Sequence, residues 1–203
     1  MSEQRNPYAA PSVPLDVPVV VDPGVGTPEY GGFWRRVGAQ FLDGLIILPV
    51  TILAIFGLEF SRLFNFYYLL PEIAFMAFYY IALVKRYGGT PGKRILDMRI
   101  VMADGTPLTT KAAILRNLVE WSFGALSTLS FAVAGIHITD AQFEPLGYIQ
   151  KLQLISASAP HWNTIPTYGA YVWLLLGAIV MLSNARRRGI HDVLAGTVVI
   201  RTR

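Results

Sequence analysis

The sequence predicts an all-α membrane bundle of about four transmembrane helices, with a small membrane-proximal β element on the cytoplasmic side. Three observations support this fold class: long apolar stretches, a low charge content and a one-sided distribution of basic residues. Of the 203 residues, 53% are hydrophobic and 15% are charged, whereas a soluble domain usually carries about 25% charged residues. The chain contains no cysteine, so disulfides, thiolate metal sites and cysteine nucleophiles are excluded.

Four stretches are long enough to span a hydrocarbon layer of ~30 Å, which requires about 20 helical residues. The predicted spans are approximately residues 37–58, 66–84, 118–138 and 166–185. The third span is the least apolar, because it contains several Gly, Ser and Thr residues. Tyr and Trp residues fall near the predicted span ends, as expected for aromatic side chains at a membrane interface.

The distribution of basic residues predicts the orientation. Arg62 and Lys151 are the only two of the 17 Lys and Arg residues in the two segments that follow the first and third spans. Basic residues concentrate in cytoplasmic segments, so we expect a multi-pass protein with both termini in the cytoplasm. The same bias explains the net charge of +4 without nucleic acid. It favours contact with the lipid bilayer and with anionic headgroups at the inner face.

Residues 1–29 are predicted to be a disordered, proline-rich cytoplasmic tail. They contain six prolines and too little apolar surface to offset the entropy of ordering. They also lack the apolar segment of a signal peptide. The tail is either a docking site for a proline-binding partner or a passive extension. Residues 30–203 form the predicted transmembrane domain.

Two short segments outside the spans predict the β element. Residues 95–103 alternate apolar side chains and end at Asp104-Gly105, a strong turn signal. Residues 195–203 have the pattern of a second strand, and we expect the two segments to pair. Thr109 is predicted to cap a helical approach to the third span. Residues 139–165 are expected to form a polar outer loop with a short interfacial segment.

The first span contains the sharpest candidate site. Arg36, Gln40 and Asp43 follow one another at spacings of four and three residues, so they line one helix face. Arg36 and Asp43 differ by only ~20° around the helix and lie ~10 Å apart along its axis. A carboxylate at this depth costs roughly 2.5–3.5 kcal/mol on insertion scales. Asp43 therefore belongs either to an ion or proton site or to a structural ion pair.

Two further charged residues complete the candidate cluster. Arg116, at the start of the third span, is a candidate partner for Asp43 or a side chain that reaches the lipid headgroups. It also forms an i, i+4 pair with Glu120. Asp192 follows the basic run at residues 186–188 and is expected at the inner interface. The candidate ion or proton site, or structural clamp, comprises Arg36, Gln40, Asp43, Arg116 and Asp192. Glu72 is expected near the outer surface.

The other polar motifs do not indicate catalysis. His191 and Asp192 are adjacent and have no further ligand at metal spacing. The segment GGTPGKR, residues 88–94, resembles a phosphate-binding loop, but its glycine spacing is short and no Ser or Thr follows the lysine. We therefore expect no catalytic, cofactor-binding or metal-binding residues and no enzyme activity.

Four sequence blocks, in order, resemble one known family. They are GFWRRVGAQFLDGLII (32–47), GGTPGKRILDMRIVMADGTPLT (88–109), ILRNLVE (114–120) and RRRGIHDVLAGTVVI (186–200). Together they resemble the RDD family of small bacterial membrane proteins, which is named for one arginine and two aspartates. The resemblance covers residues 30–203 and is weakest in the loop 139–165.

The resemblance implies roles for particular residues. The family arginine corresponds to Arg36, with Arg35 as the alternative, and the two aspartates correspond to Asp43 and Asp192. The turn at residues 90–93 and Arg116 also match family positions. A few members are associated with sodium or potassium/proton antiport. The resemblance thus implies a bacterial inner membrane protein, with Na⁺, K⁺ and H⁺ as candidate substrates.

Two functional hypotheses follow. In the first, the chain is a small cation/proton transporter in which Asp43 exchanges a proton and a cation, and Arg36 or Arg116 tunes its pKa. Four spans are few for a pathway, so this hypothesis favours a homo-oligomer. In the second, the chain is a structural or accessory membrane protein. Its Arg and Asp residues then lock helix packing, and its inner face or tail binds a partner.

Overall fold

A computed structural model describes residues 29–202 and contains four helices long and apolar enough to cross a membrane, which confirms the predicted fold class. In chain order the elements are α1 (Phe33–Phe60), α2 (Phe64–Ala77), a π-helical segment (Phe78–Ala82), α3 (Leu83–Tyr87), α4 (Pro91–Ile95), β1 (Met98–Met102), α5 (Thr110–His137), α6 (Asp140–Phe143), α7 (Tyr148–Ala157), a 3-10 turn (His161–Asn163), α8 (Thr164–Ser183), α9 (Ile190–Leu194) and β2 (Thr197–Arg201). The predicted tail lies outside the described residues, apart from Glu29.

Two of the spanning helices, α1 and α5, are longer than the predicted spans. α1 and α5 each contain 28 residues, or ~42 Å at 1.5 Å per residue. The third span was predicted from residue 118, but α5 begins at Thr110, because the amphipathic approach continues directly into the span. The Thr109 hydroxyl accepts a hydrogen bond from the Ala112 N–H at 3.2 Å and caps the helix. α5 therefore extends beyond the apolar layer at its first turns.

The second span is one continuous rod made of α2, the π-helical segment and α3. A π-helical turn is wider than an α-helical one and often occurs at functional positions. This one contains Tyr79, which is buried. The rod ends at Gly88, whose φ of +75° is a left-handed conformation that favours glycine. The chain then turns directly into α4.

The predicted pairing of the two short strands is confirmed. β1 and β2 are antiparallel, and Ile100 lies opposite Val199. Both of these side chains are buried, together with Met98, against Ala39 of α1 and Ala113 of α5. The two strands with α4 and α9 form one end of the molecule, which we call the sheet end.

The opposite end, formed by residues 138–163 and the α1–α2 turn, is called the loop end. It is more ordered than the predicted loop, because it contains α6 and α7. Tyr148, Leu152 and Ile155 recur at helical spacing, and Ile155 packs in a small core with Leu58 and Phe143. The apolar side chains of α7 therefore fold this segment back onto the bundle.

The middle of the bundle is less tightly packed than its ends. α2 packs along α5, and α5 packs along α8. α1 contacts the rest mainly through α4 at the sheet end and through α2 and α7 towards the loop end. Large apolar side chains face outwards along the spans, such as Leu53, which is 72% exposed. In a membrane protein these side chains contact lipid.

Candidate functional site

Asp192 lies at the centre of a buried charge cluster at the sheet end. Its side chain is fully buried in α9. The Arg36 Nη1 group donates to Asp192 Oδ2 at 2.5 Å, and the Arg116 Nη1 group donates to Oδ1. Arg36 comes from α1 and Arg116 from α5. One carboxylate therefore joins the first and third spans to the segment that follows the fourth.

Further hydrogen bonds close the cluster around Asp192. The Gly189 N–H donates to Oδ2 at 3.1 Å, and the Thr197 hydroxyl lies 3.2 Å from Oδ1. Arg116 also donates to Thr197 Oγ1 at 2.6 Å. The buried Arg188 side chain donates to the backbone carbonyl oxygens of Thr197 and Asp192. Arg188 thus stabilises the turn before β2.

The charges in this cluster determine the protonation states of Asp192 and His191 in α9. Burial opposes ionisation of Asp192, but the positive charges on Arg116 and Arg36 hold the pKa of its carboxyl far below the ordinary value. Burial lowers the pKa of His191 to about 4, with Asp192 opposing and Arg116 reinforcing this shift. At neutral pH the cluster therefore contains an ionised aspartate and a neutral histidine.

Asp43 lies in a second cluster, ~10 Å further along α1 than Arg36. Its Oδ1 atom accepts hydrogen bonds from the Tyr79 hydroxyl and from the Gly92 N–H, both at 2.7 Å, and Oδ2 accepts one from the Thr90 hydroxyl at 2.6 Å. The aspartate is 3% exposed. Three neutral donors from the second span and the start of α4 thus stabilise the carboxylate, and Asp43 caps the first turn of α4.

Gly92 permits this contact between α1 and α4. A Cβ atom at this position would lie 2.2 Å from the Ala39 carbonyl oxygen and 2.8 Å from Asp43 Cγ. The α4 backbone therefore approaches α1 so closely that no side chain fits between them. Thr90 starts α4 and Pro91 occupies its first position, which is a favoured place for proline.

Four of the five predicted candidate residues belong to these clusters: Arg36, Arg116 and Asp192 to one and Asp43 to the other. Arg116 is buried and forms its ion pair with Asp192, so it is neither the partner of Asp43 nor a side chain that reaches the lipid headgroups. Arg36 and Asp43 do share one buried face of α1, and Ala39 lies between them. Gln40 is exposed, because α4 covers only the stripe that contains Ala39 and Asp43.

Several residues of the two clusters were not identified from the sequence. Tyr79 and Thr197 had no sequence signal, since their role depends on distant parts of the chain. Thr90 and Gly92 were recognised only as parts of a turn. The Thr-Pro-Gly order, with a capping residue before proline, was the available signal for a helix start. The Lys93 ammonium lies 3.5 Å from Thr90 Oγ1, which places a further positive charge beside the Asp43 cluster.

Glu72 lies deeper in the bundle than predicted. It is eight residues from the start of α2 at Phe64, or ~12 Å inside the helix. The Thr128 hydroxyl donates a hydrogen bond to Glu72 Oε2 at 2.8 Å. Glu72 lines two cavities of about 410 and 290 Å³. Neither of these cavities is lined by a residue of the Asp43 or Asp192 clusters.

No group of three or more His, Asp or Glu side chains within residues 29–202 is placed to hold a metal ion. Cysteine cannot contribute a metal ligand, because the chain contains none.

Comparison with known proteins identifies the family. The sequence model of the RDD family matches residues 30–196, most of the chain. No curated protein and no solved structure matches the chain significantly. The matched region contains all four spans and both aspartate clusters except Thr197, and it includes Arg36, Asp43 and Asp192. The chain therefore belongs to the RDD family of membrane proteins.

Proposed function

We propose that this RDD protein is a structural or accessory membrane protein whose Arg and Asp residues lock the sheet end onto the helix bundle. The main supporting observation is that protein donors surround the carboxylates of both Asp192 and Asp43. Asp192 is enclosed by two guanidinium groups, and Asp43 by three hydrogen-bond donors. A carboxylate that exchanges ions needs a side from which an ion can approach, whereas Asp192 and Asp43 are 0% and 3% exposed and are surrounded by protein donors.

We call the Asp192 and Asp43 clusters together the lock. The lock joins parts of the chain that are distant in sequence. Asp192 is 156 residues from Arg36 and 76 residues from Arg116. Removing one partner from a buried ion pair leaves an uncompensated charge, which costs about 3–5 kcal/mol. The geometry thus supports a role in which the two aspartates hold β1, β2 and α4 in place against the spans.

In this proposal the locked sheet end presents a basic surface to the inner leaflet of a bacterial cytoplasmic membrane. Its orientation follows from the charge bias of the sequence. A pocket of about 200 Å³ at this end is lined by Lys85, Arg86 and Arg99. Three basic side chains around one pocket suit the phosphate of an anionic phospholipid headgroup.

The proposal is tested by measuring stability and transport on the same variants. Asp43→Asn should lower the melting temperature of the purified protein by several degrees, because Asn accepts fewer of the three donors. Proteoliposomes with an imposed proton gradient should show no flux driven by Na⁺ or K⁺, in either wild type or variant. Asp97→Asn, at an exposed turn residue, is the matched control and should change neither quantity.

The rival function is exchange of Na⁺ or K⁺ for H⁺ at Asp43. Cation-dependent proton flux in wild-type proteoliposomes that disappears in Asp43→Asn, with the melting temperature unchanged, would establish exchange and overturn the lock.

The lipid contact is tested separately. Phosphatidylglycerol should raise the melting temperature more than phosphatidylcholine does, and Arg99→Gln should reduce that difference. Lys111→Gln removes an exposed charge near the same end but outside the pocket, so it should leave the difference intact. Equal stabilisation by the two lipids would contradict the proposed headgroup site.

A further inference from the structure

We propose that the Glu72 cavity, a cleft between α2 and α5, is a binding site for lipophilic organic monocations. The cavity has a volume of about 410 Å³, within the range of about 300–1,000 Å³ that is typical of small-molecule sites. The residues that line it include Glu72, Met76, Tyr80, Leu118, Glu120 and Trp121. This inference is independent of the lock at the sheet end.

Glu72 differs from Asp43 and Asp192 in the hydrogen-bond and ion-pair partners of its carboxylate. Glu72 accepts a hydrogen bond from Thr128, a neutral donor, and within residues 29–202 no basic side chain forms an ion pair with it. It also borders a second cavity of about 290 Å³ between α1, α2, α5 and α7. A carboxylate at membrane depth needs a proton or a cation to offset the loss of water. The cavity beside it provides the space for that cation.

The walls of the Glu72 cavity suit an organic cation better than a metal ion. Na⁺, Mg²⁺ and Ca²⁺ need several oxygen ligands, whereas Met76, Leu118 and the rings of Tyr80 and Trp121 present mostly carbon. The two ring centroids are 6.3 Å apart, with the rings edge to face. Aromatic faces attract cations that have lost part of their hydration.

The dimensions of the cavity suggest how such a cation lies in it. Thr128 marks the level of Glu72 on α5, and Glu120 is eight residues earlier, or ~12 Å towards the sheet end. The positive centre of the ligand lies between Glu72 and the aromatic pair, and its apolar groups contact Met76 and Leu118. Leu118 and Ile73, both exposed, stand at the rim, so the cavity opens sideways towards lipid. An amphiphilic cation dissolved in the bilayer can therefore reach it.

The test is equilibrium binding of radiolabelled tetraphenylphosphonium to the purified protein in nanodiscs. Wild type should bind saturably, and Glu72→Gln should weaken binding by at least about tenfold, since one desolvated charge pair is lost. Glutamine retains an oxygen that can accept from Thr128, so folding should be preserved. Glu144→Gln, at an exposed position of the loop end, is the matched control and should bind like wild type.

A second variant and a second probe distinguish binding of a cation from occupation of the cavity by any apolar molecule. Ala125→Leu narrows the cavity without altering Glu72 and should also weaken binding of tetraphenylphosphonium. Tetraphenylmethane has a closely similar shape and no charge, so it should not compete. The proposal is overturned if wild type shows no saturable binding or if Glu72→Gln binds like wild type. It is also overturned if tetraphenylmethane competes as well as unlabelled tetraphenylphosphonium does, because an apolar cleft filled by lipid chains would behave in that way.

Discussion

Asp192 and Glu72 are two carboxylates in one small bundle, and their surroundings are opposite. Asp192 is fully buried and enclosed by Arg36 and Arg116. Glu72 accepts a hydrogen bond from the neutral Thr128 and borders two cavities. A carboxylate whose acceptor positions are filled by protein donors can hold helices together, but it cannot readily take a ligand. One that borders open space can do so. The comparison separates the lock from the proposed binding site.

The largest effect is expected where the lock loses its central charge. Asp192→Asn leaves Arg36 and Arg116 buried without a counter-charge, and we expect a loss of about 3–5 kcal/mol of unfolding free energy. Detergent size-exclusion profiles and thermal unfolding measure it. Replacing all three charges, with Arg36→Met, Arg116→Met and Asp192→Leu, should recover much of the stability. Asp140→Asn, in an exposed pair with Arg62, is the control; equal losses for both aspartates would contradict the lock.

The next effect tests the close approach of α4 to α1. Gly92→Ala places a Cβ atom 2.2 Å from the Ala39 carbonyl oxygen, so α4 must shift and loosen its bonds to Asp43. We expect a loss of about 1–3 kcal/mol, measured by thermal unfolding. Gly44→Ala is the matched control on α1, because no atom lies within 4 Å of its Cβ position. That change should be neutral or slightly stabilising.

A smaller effect is expected at the loop end, where a cation is buried beside a partly solvated partner. Lys151 donates to the Glu59 carbonyl and carboxylate groups at 2.9 and 3.0 Å. The Glu59 side chain is 41% exposed, so water can replace the lost partner. Lys151→Met should therefore cost only about 1 kcal/mol in thermal unfolding, and Gln153→Met on the exposed side of α7 should cost nothing. A loss as large as that of Asp192→Asn would remove the difference between the two ends.

The smallest effect is a pH dependence at the sheet end. The pKa of His191 is about 4 in the folded protein and 6.5 ordinarily, so the unfolded chain binds the proton more readily. The stability that this contributes is complete above pH 6.5 and is lost as the pH falls towards 4. The His191 side chain is 35% exposed, so solvent screens much of this dependence, and His191→Gln should remove only about 1–2 °C of the acid-induced fall in melting temperature. His137→Gln, at an exposed position, should leave the fall unchanged.

Local patterns in the sequence were sufficient for the fold. Apolar length located the four spans, and alternation with the Asp104-Gly105 turn located the strand pair. Spacing alone also placed Arg36 and Asp43 on one face of α1. Depth was harder to predict: Glu72 follows Pro71 and was expected near the outer surface, but it lies eight residues inside α2 and is half-buried.

The partners of the charged residues could not be predicted from spacing. The contact between Arg116 and Asp192 depends on where α9 packs, which is decided by the pairing of β1 with β2. Tyr79 reaches Asp43 from the π-helical segment, which had no sequence signal. Gln40 had the spacing of a site residue, but α4 is too narrow to cover it. Helical periodicity gives a shared face, whereas tertiary packing decides which part of that face is buried.

The most direct test of the difference between closed and open carboxylates is their reaction with dicyclohexylcarbodiimide. This lipid-soluble reagent modifies protonated carboxyl groups that it can reach from the bilayer, and peptide mass spectrometry locates the adducts. The account predicts modification at Glu72 and none at Asp43 or Asp192. Modification of Asp43 at a rate comparable with Glu72, in protein that remains folded, would show that the Asp43 cluster is open and would contradict the lock.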